Sequence, residues 1–381
     1  MTVEKLVYGG QGLARAGGRV ALLPFVLPGE RIEATLRPAK GGVLGASNVR
    51  VIEPSPLRQD AACPYFTHCG GCHYQHFGYE DQIEQKRSIL RETLRRIGKI
   101  SYEGEIAALT AGPWGYRNRI QLHVDSGRVG YFAPGSHKLC AVSACPIASP
   151  LLERTIAKLD AGLPRLGRFD ADLELFSNDI DVQVNADGPI PKPAREFFET
   201  LGVTSSIECH GLRVSRGSFF QVNRFLIEPL VAAATGGASG KSALDLYAGV
   251  GLFAPTLRKT FERVTAVEAG ASSGRDLEHN SRAAAAPWTS VRAAVEDYLP
   301  SVIATPDFIL ADPPRAGLGA KTTGALLRIA APRVHLVSCD PSTLARDLAV
   351  LLAKYRIEKI ALVDLFPQTF HIETLVQLEA A

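Results

Sequence analysis

Leu244-Asp245-Leu246-Tyr247-Ala248-Gly249-Val250-Gly251-Leu252-Phe253 runs an apolar strand into a glycine turn and then into a helix. Glycines at such a turn bring the backbone close to a nucleotide-like ligand at a helix N-terminus. The next apolar strand, Val264–Val267, ends in Glu268, an acid suited to two ribose hydroxyls. Further strands over Phe308–Leu310, Val334–Val337 and Lys359–Leu362 alternate with helical stretches over Ala254–Lys259, Ser272–Arg282, Ala320–Ala330 and Ser342–Lys354. That alternation predicts an α/β fold with a doubly wound parallel sheet. Ligands of such sheets sit at the strand carboxyl ends. Asp312-Pro313-Pro314-Arg315 and Ser338-Cys339-Asp340-Pro341 close two of those strands, so Asp312 and Cys339 are expected to share a crevice with Gly249 and Glu268. Gly249-x-Gly251-x-x-Ala254 alone also satisfies a loose dinucleotide pattern.

Upstream the pattern changes. Val222–Thr235 reads as a helix and residues 236–240 as a glycine-rich loop. Between Tyr116 and Val222, short alternating runs at Arg119–Val124, Arg128–Phe132, Leu173–Phe176, Val182–Val184 and Ser206–Val214 predict a β-rich region. Tyr79–Ile97 carries Gln82-Ile83, Lys86-Arg87, Ile89-Leu90 and Leu94 at helical spacing. The first 55 residues place apolar runs (Arg19–Val26, Arg31–Leu36, Ser47–Ile52) between Gly and Pro punctuation, the rhythm of a small five-stranded OB-like barrel. Three domains are therefore expected, over residues 1–55, 56–220 and 221–381.

Composition narrows the class. The 381 residues are 46% hydrophobic and 21% charged, with a net charge of +3, which is ordinary globular chemistry. Charge alone does not announce a nucleic-acid binder. No apolar run reaches the roughly 20 residues of a membrane helix, and the N-terminus lacks a secretory pattern. A cytoplasmic, non-membrane protein is expected, in which clustered thiols signal metal or catalysis rather than disulfides. Of the seven cysteines, three lie in Cys63-Pro64-Tyr65-Phe66-Thr67-His68-Cys69-Gly70-Gly71-Cys72, with Gly70 and Gly71 allowing a tight turn. A thiolate site needs a fourth ligand, and Cys140 and Cys145 are candidates. Zinc and an iron–sulfur cluster both suit such a set.

Taken together, these motifs resemble the S-adenosylmethionine-dependent RNA 5-methyluridine methyltransferases, and the resemblance spans nearly the whole chain. Tyr8-Gly9-Gly10-Gln11-Gly12 with Leu27-Pro28-Gly29-Glu30 is similar to the TRAM RNA-binding barrel. Cys63-x5-Cys69-Gly70-Gly71-Cys72-x2-Gln75-His76 is similar to the family's [4Fe–4S] motif, whose fourth ligand is a Cys before Pro, which implies Cys145 rather than Cys140. Phe219-Phe220-Gln221-Val222-Asn223 resembles the entry to the catalytic domain, so Gln221, Tyr247, Glu268, Asp297 and Asp312 are implied donor-binding positions. Cys339 matches the nucleophile and Glu373, within His371-Ile372-Glu373, the base. Two positions depart from the pattern: Leu252 replaces an asparagine found in some members, and Phe370 replaces a glycine.

The resemblance implies a monomer that methylates C5 of a uridine, in ribosomal RNA by preference over tRNA. Uracil C5 is a poor nucleophile. Addition of the Cys339 thiolate to C6 makes C5 enolate-like, and Glu373 then removes the C5 proton. The target base must leave its stack to reach such a site. A nucleotide-dependent iron–sulfur oxidoreductase would leave Asp312, Cys339 and Glu373 without a task. A non-catalytic RNA-binding protein would tolerate loss of Cys339.

Overall fold

The computed structural model describes all 381 residues, apart from the side chain of Lys40. Strands β1 (Val3–Val7), β2 (Gln11–Ala16), β3 (Arg19–Pro24), β4 (Arg31–Pro38) and β5 (Leu44–Glu53) form one sheet in the order β1-β2-β3-β5-β4. A Thr2–Arg31 bridge and the bond from the Val3 N–H to the Glu30 carbonyl join its two edges. The sheet thereby closes on itself at this end. Val3, Ala14, Leu23, Val26 and Ile32 fill it.

Helix α1 (Tyr79–Ile97) and strand β6 (Ile106–Leu109) follow. Next come β7 (Arg119–Asp125), β8 (Arg128–Phe132), β9 (Leu139–Ala141), α2 (Pro150–Gly162), β10 (Ala171–Ser177), β11 (Val182–Asp187) and α3 (Lys192–Leu201). Their five strands make an antiparallel sheet in the order β11-β10-β7-β8-β9. Leu152, Ile156 and Leu159 of α2 and Ala194 and Phe198 of α3 pack into one core with the apolar residues of that sheet.

The run 206–214, expected as one strand, is a hairpin of β12 (Ser206–Cys209) and β13 (Leu212–Ser215). His210 and Gly211 both take positive φ, the requirement of a two-residue primed turn. The helix expected from Val222 begins only at α4 (Ile227–Thr235). The Val222 carbonyl instead accepts from Asn118, and the Asn223 side chain caps Phe225.

The remaining elements are β14 (Gly240–Leu246), α5 (Ala254–Leu257), β15 (Phe261–Glu268), α6 (Ala271–Ala283), β16 (Thr289–Arg292), α7 (Val295–Tyr298), β17 (Phe308–Ala311), α8 (Gly319–Ile329), β18 (Arg333–Ser338), α9 (Pro341–Leu351), β19 (Tyr355–Val363) and β20 (Glu373–Ala380). They build an eight-stranded sheet in the order β16-β15-β14-β17-β18-β20-β19-β6. The expected parallel arrangement holds from β16 to β18. β20 breaks it, running antiparallel to both β18 and β19. Residues 364–372 contain no crossover helix, so the chain returns beside β19 in the opposite direction.

Elements on either side of the expected domain boundary at 220/221 pack together. β6 adds a parallel edge strand to β19, and α1 shares the core of α9, with Leu90 and Leu94 beside Leu344 and Leu348. The β12–β13 hairpin packs on α6, where Asp276 accepts from Ser215 and Arg213. Its apolar residues Ile207 and Val214 belong to the same core as Leu277. No described helix is long and apolar enough to cross a membrane.

Candidate active site and thiol cavity

A cleft of about 980 Å³ lies along the carboxyl ends of β14, β15, β17 and β18, and Gln221, Tyr247, Glu268, Asp312, Cys339 and Glu373 all line it. The turn after β14 shapes one end. Tyr247 and Gly249 take positive φ, and the Tyr247 hydroxyl reaches Thr322 at 3.4 Å. Glu268 closes this turn: its carboxylate accepts from the Gly249 N–H at 2.9 Å, the Gly270 N–H at 2.6 Å and the Ser273 hydroxyl at 2.9 Å. A pyrophosphate would therefore meet a carboxylate rather than free N–H donors here. Asp245 lies beneath, fully buried, and loss of hydration with the nearby Asp312 and Glu268 charges holds its carboxyl well above the usual range.

The other end gathers a thiol and two carboxyls. Asp340 caps α9, accepting from the Ser342 and Thr343 N–H groups, and this fixes the turn that carries Cys339. The Gln221 amide donates to Asp312 at 3.2 Å. Burial pushes Asp312 up to about 7. Glu373, at the first position of β20 and 4% exposed, is also held well above the usual carboxylate range by burial and by the Asp312 charge. Burial, then Glu373 and Asp312, push the Cys339 thiol up to about 12, against the lowering influence of Arg315. Two carboxyls and a thiol thus compete for little negative charge in a poorly hydrated site, and a bound cation would lower all three.

Asp297 is not part of this cleft. It is exposed, while its neighbours Val295 and Glu296 line the wall. Consecutive residues of a helix point about 100° apart, so α7 presents one acid and turns the other away. Leu252 packs into the core beneath the glycine turn. Phe370 fills a gap: its ring meets Tyr8 at 5.7 Å and His73 at 4.6 Å between centroids, directly above Gly10. Arg117, His371 and Arg315, given no role from sequence, also line the cleft. His371 accepts at Nδ1 from Arg315 at 3.3 Å, and burial pushes its pKa down to about 3.

Cys63, Cys69, Cys72 and Cys145 line a second cavity of about 250 Å³, whereas Cys140 does not. Burial raises Cys69 and Cys72 to about 12. Gly70 earns its place by space rather than by φ, because a Cβ there would lie 2.8 Å from the Phe132 carbonyl oxygen. His76 stacks on Phe66 away from the thiols. Among the described residues, no three His, Cys, Asp or Glu side chains close on a single metal-ion position. Arg117 and His371 line both cavities, so one wall separates the thiols from the cleft.

Residues 303–381 match the profile of the tRNA (uracil-5-)-methyltransferase family. Over 427 aligned positions the chain is 30% identical to the 23S rRNA (uracil(1939)-C(5))-methyltransferase RlmD of Pseudomonas fluorescens, covering 100% of this chain and 94% of that one. The chain belongs to the RNA uracil-5-methyltransferase family. An uncharacterized RNA methyltransferase of Aquifex aeolicus is also 30% identical, over 100% of this chain and 98% of its own. The fold of this uracil-5-methyltransferase matches that of the Pyrococcus abyssi tRNA (uracil-54, C5)-methyltransferase, solved with S-adenosyl-L-homocysteine. The TM-score is 0.79 at 24% identity, over 99% of both chains.

Proposed function

We propose that this methyltransferase uses S-adenosylmethionine to methylate C5 of a uridine through a covalent adduct on Cys339. The observation that carries the reading is that Cys339 and Glu373 share one cleft with Tyr247 and Glu268, close enough for the Glu373 charge to act on the thiol. When bound, the donor supplies a methyl group on a sulfonium. Tyr247 and Gly249 form the backbone surface it would lie on, and Glu268 offers carboxylate lone pairs to ribose hydroxyls. The acids around the glycine turn disfavour a dinucleotide pyrophosphate.

Cys339 Sγ adds to C6 of the flipped uracil, and the C5=C6 electrons make C5 the nucleophile that takes the methyl. Glu373, ionised within the loaded site, then accepts the C5 proton. The C–H electrons re-form C5=C6, and the C6–S bond breaks to return the thiolate. Asp312, tied to Gln221, orients the uracil edge or the donor in this reading.

The cavity lined by Cys63, Cys69, Cys72 and Cys145 fits a [4Fe–4S] cluster: four thiols bound one pocket, and Arg117 offsets negative charge. There a cluster would cross-link the 63–72 loop to Cys145, and methyl transfer asks no electrons of it. The N-terminal barrel is read as a TRAM-type RNA-binding module. Full-length similarity to enzymes named for 23S rRNA favours ribosomal RNA as substrate over tRNA.

RNA carrying 5-fluorouridine tests the mechanism, since fluorine cannot leave as a proton. Incubated with donor, it should yield a denaturation-resistant adduct with the wild type and none with Cys339→Ala. Absence of the wild-type adduct on both ribosomal RNA and tRNA rejects the covalent route.

A further inference from the structure

Between β19 and β20 the chain makes a non-helical return, 364–372, that delivers His371 and Glu373 to the cleft. Its shape is not local. Three successive carbonyl oxygens are held by three separate parts of the chain: Phe366 by Lys86 Nζ at 3.0 Å, Pro367 by the Tyr116 hydroxyl at 3.0 Å, and Gln368 by the His73 and Tyr74 N–H groups at 2.8 and 3.0 Å.

Gln368 is the centre of this arrangement. It is buried and holds a left-handed backbone, φ 66°. A non-glycine residue stays there only when its surroundings over-determine it. Gln82, on the buried face of α1, supplies that constraint. Its Oε1 accepts from the Gln368 N–H at 3.0 Å, and its Nε2 donates to Gln368 Oε1 at 3.0 Å. The same Nε2 lies within bonding distance of the Tyr74 and Phe77 carbonyls, at 3.0 and 3.1 Å. One amide thus joins α1, the segment after the thiol loop and the return.

We propose that Gln82 and Gln368 are positioning residues that set the place of Glu373 for C5 proton removal, an inference that rests on the reading of Glu373 as base. Proton transfer needs its acceptor within hydrogen-bond reach of the leaving proton. Displacement by about 1 Å from a remote change costs roughly 100-fold. The step that suffers is the last one. Cys339 stands on the turn that Asp340 fixes at the start of α9, outside the return, so its addition and methyl transfer should be spared.

The test uses full-length protein purified anaerobically, S-adenosylmethionine, and ordinary uridine-containing total RNA from cells lacking the gene. Gln82→Met removes the clamp. Gln368→Gly adopts the same φ without strain, keeps the backbone bonds and loses the side-chain bond with its packing, so it carries the test if Gln82→Met does not fold. Glu373→Gln runs alongside as the reference for a missing base. Expected are cooperative melting, an unchanged Kd for RNA, and turnover down roughly 100-fold for Gln82→Met and about tenfold for Gln368→Gly. Both should accumulate a denaturation-resistant adduct on unmodified uridine, as should Glu373→Gln. Wild-type turnover in a folded variant, or slow turnover with no accumulated adduct, overturns the positioning role while leaving the base intact. If Glu373→Gln itself accumulates no adduct, the base assignment falls and the positioning role falls with it.

Discussion

The Tyr8 hydroxyl, at the exit of the first strand of the barrel, lies 3.5 Å from the carbonyl oxygen of Cys339. The same hydroxyl faces the Asp340 carboxylate, which caps α9. The N-terminal module therefore touches the turn that holds the strand-end thiol, and its contact is to backbone rather than to sulfur. Tyr8→Phe keeps the ring against Phe370 and removes the donor. A hydrogen bond worth about 1 kcal/mol corresponds to roughly fivefold in rate. The rate of 5-fluorouridine adduct formation should fall by about that factor, with the melting temperature lower by only roughly 1–2 °C. An unaltered rate shows that the hydroxyl does not hold the turn.

Asp312 gives a pH prediction with a definite sign. Its ordinary value is 3.8 and its folded value about 7. A carboxyl raised on folding favours the native state at low pH, and that contribution is lost as pH rises from about 4 to 7. Asp312→Asn cannot ionise and can still accept from Gln221. At pH 8 it should melt higher than wild type. Discounting for water in the open cleft, ~1 kcal/mol or roughly 1–2 °C is expected. At pH 4 the two should coincide. A variant less stable than wild type at pH 8 contradicts this account, whatever its loss of activity.

Iron content separates the thiols. Cys145→Ser removes one thiol of the cavity and should lose most iron and the brown colour, whereas Cys140→Ser should keep both. Elemental analysis of anaerobically purified protein decides it. A colourless wild type holding only zinc removes the cluster from the account.

Lys86 and Asp364 form an ion pair at 2.6 Å with side chains 0% and 1% exposed. Lys86→Met leaves the carboxylate buried without its partner and should cost about 3–5 kcal/mol. Pairing it with Asp364→Leu should recover much of that loss. Denaturant melts of the two single variants and the double variant measure the coupling, and simple additivity would deny it.

The parts visible from sequence were those whose function shows in local spacing. An acid or thiol one residue past an apolar strand is a position, and Glu268, Asp312 and Cys339 all line the cleft that such positions imply. Gln82 and Lys86 sat in the helical stripe of α1 without betraying that their partners, Gln368 and Asp364, lie 286 and 278 residues away. Arg117 carried no signal at all, because its place between two cavities depends on the packing of separate sheets. Asp297 lies outside the cleft that Glu296 lines, because one residue along a short helix is a different face. The antiparallel entry of β20 was hidden for a related reason: a strand's apolar pattern does not record its direction.

The position of β6 bears on how the protein is made. Ile106 emerges from the ribosome long before Ile360, the residue it pairs with. About 250 residues separate them, and at roughly 5–20 residues per second the wait is of the order of 10–50 s. During that time the strand has no neighbour on the β19 side. The catalytic sheet is among the last structures to form, and a chain cut short before β19 would present this segment as an unsatisfied edge. A nascent protein released early is thus exposed to chaperones or aggregation through a strand encoded in its first third.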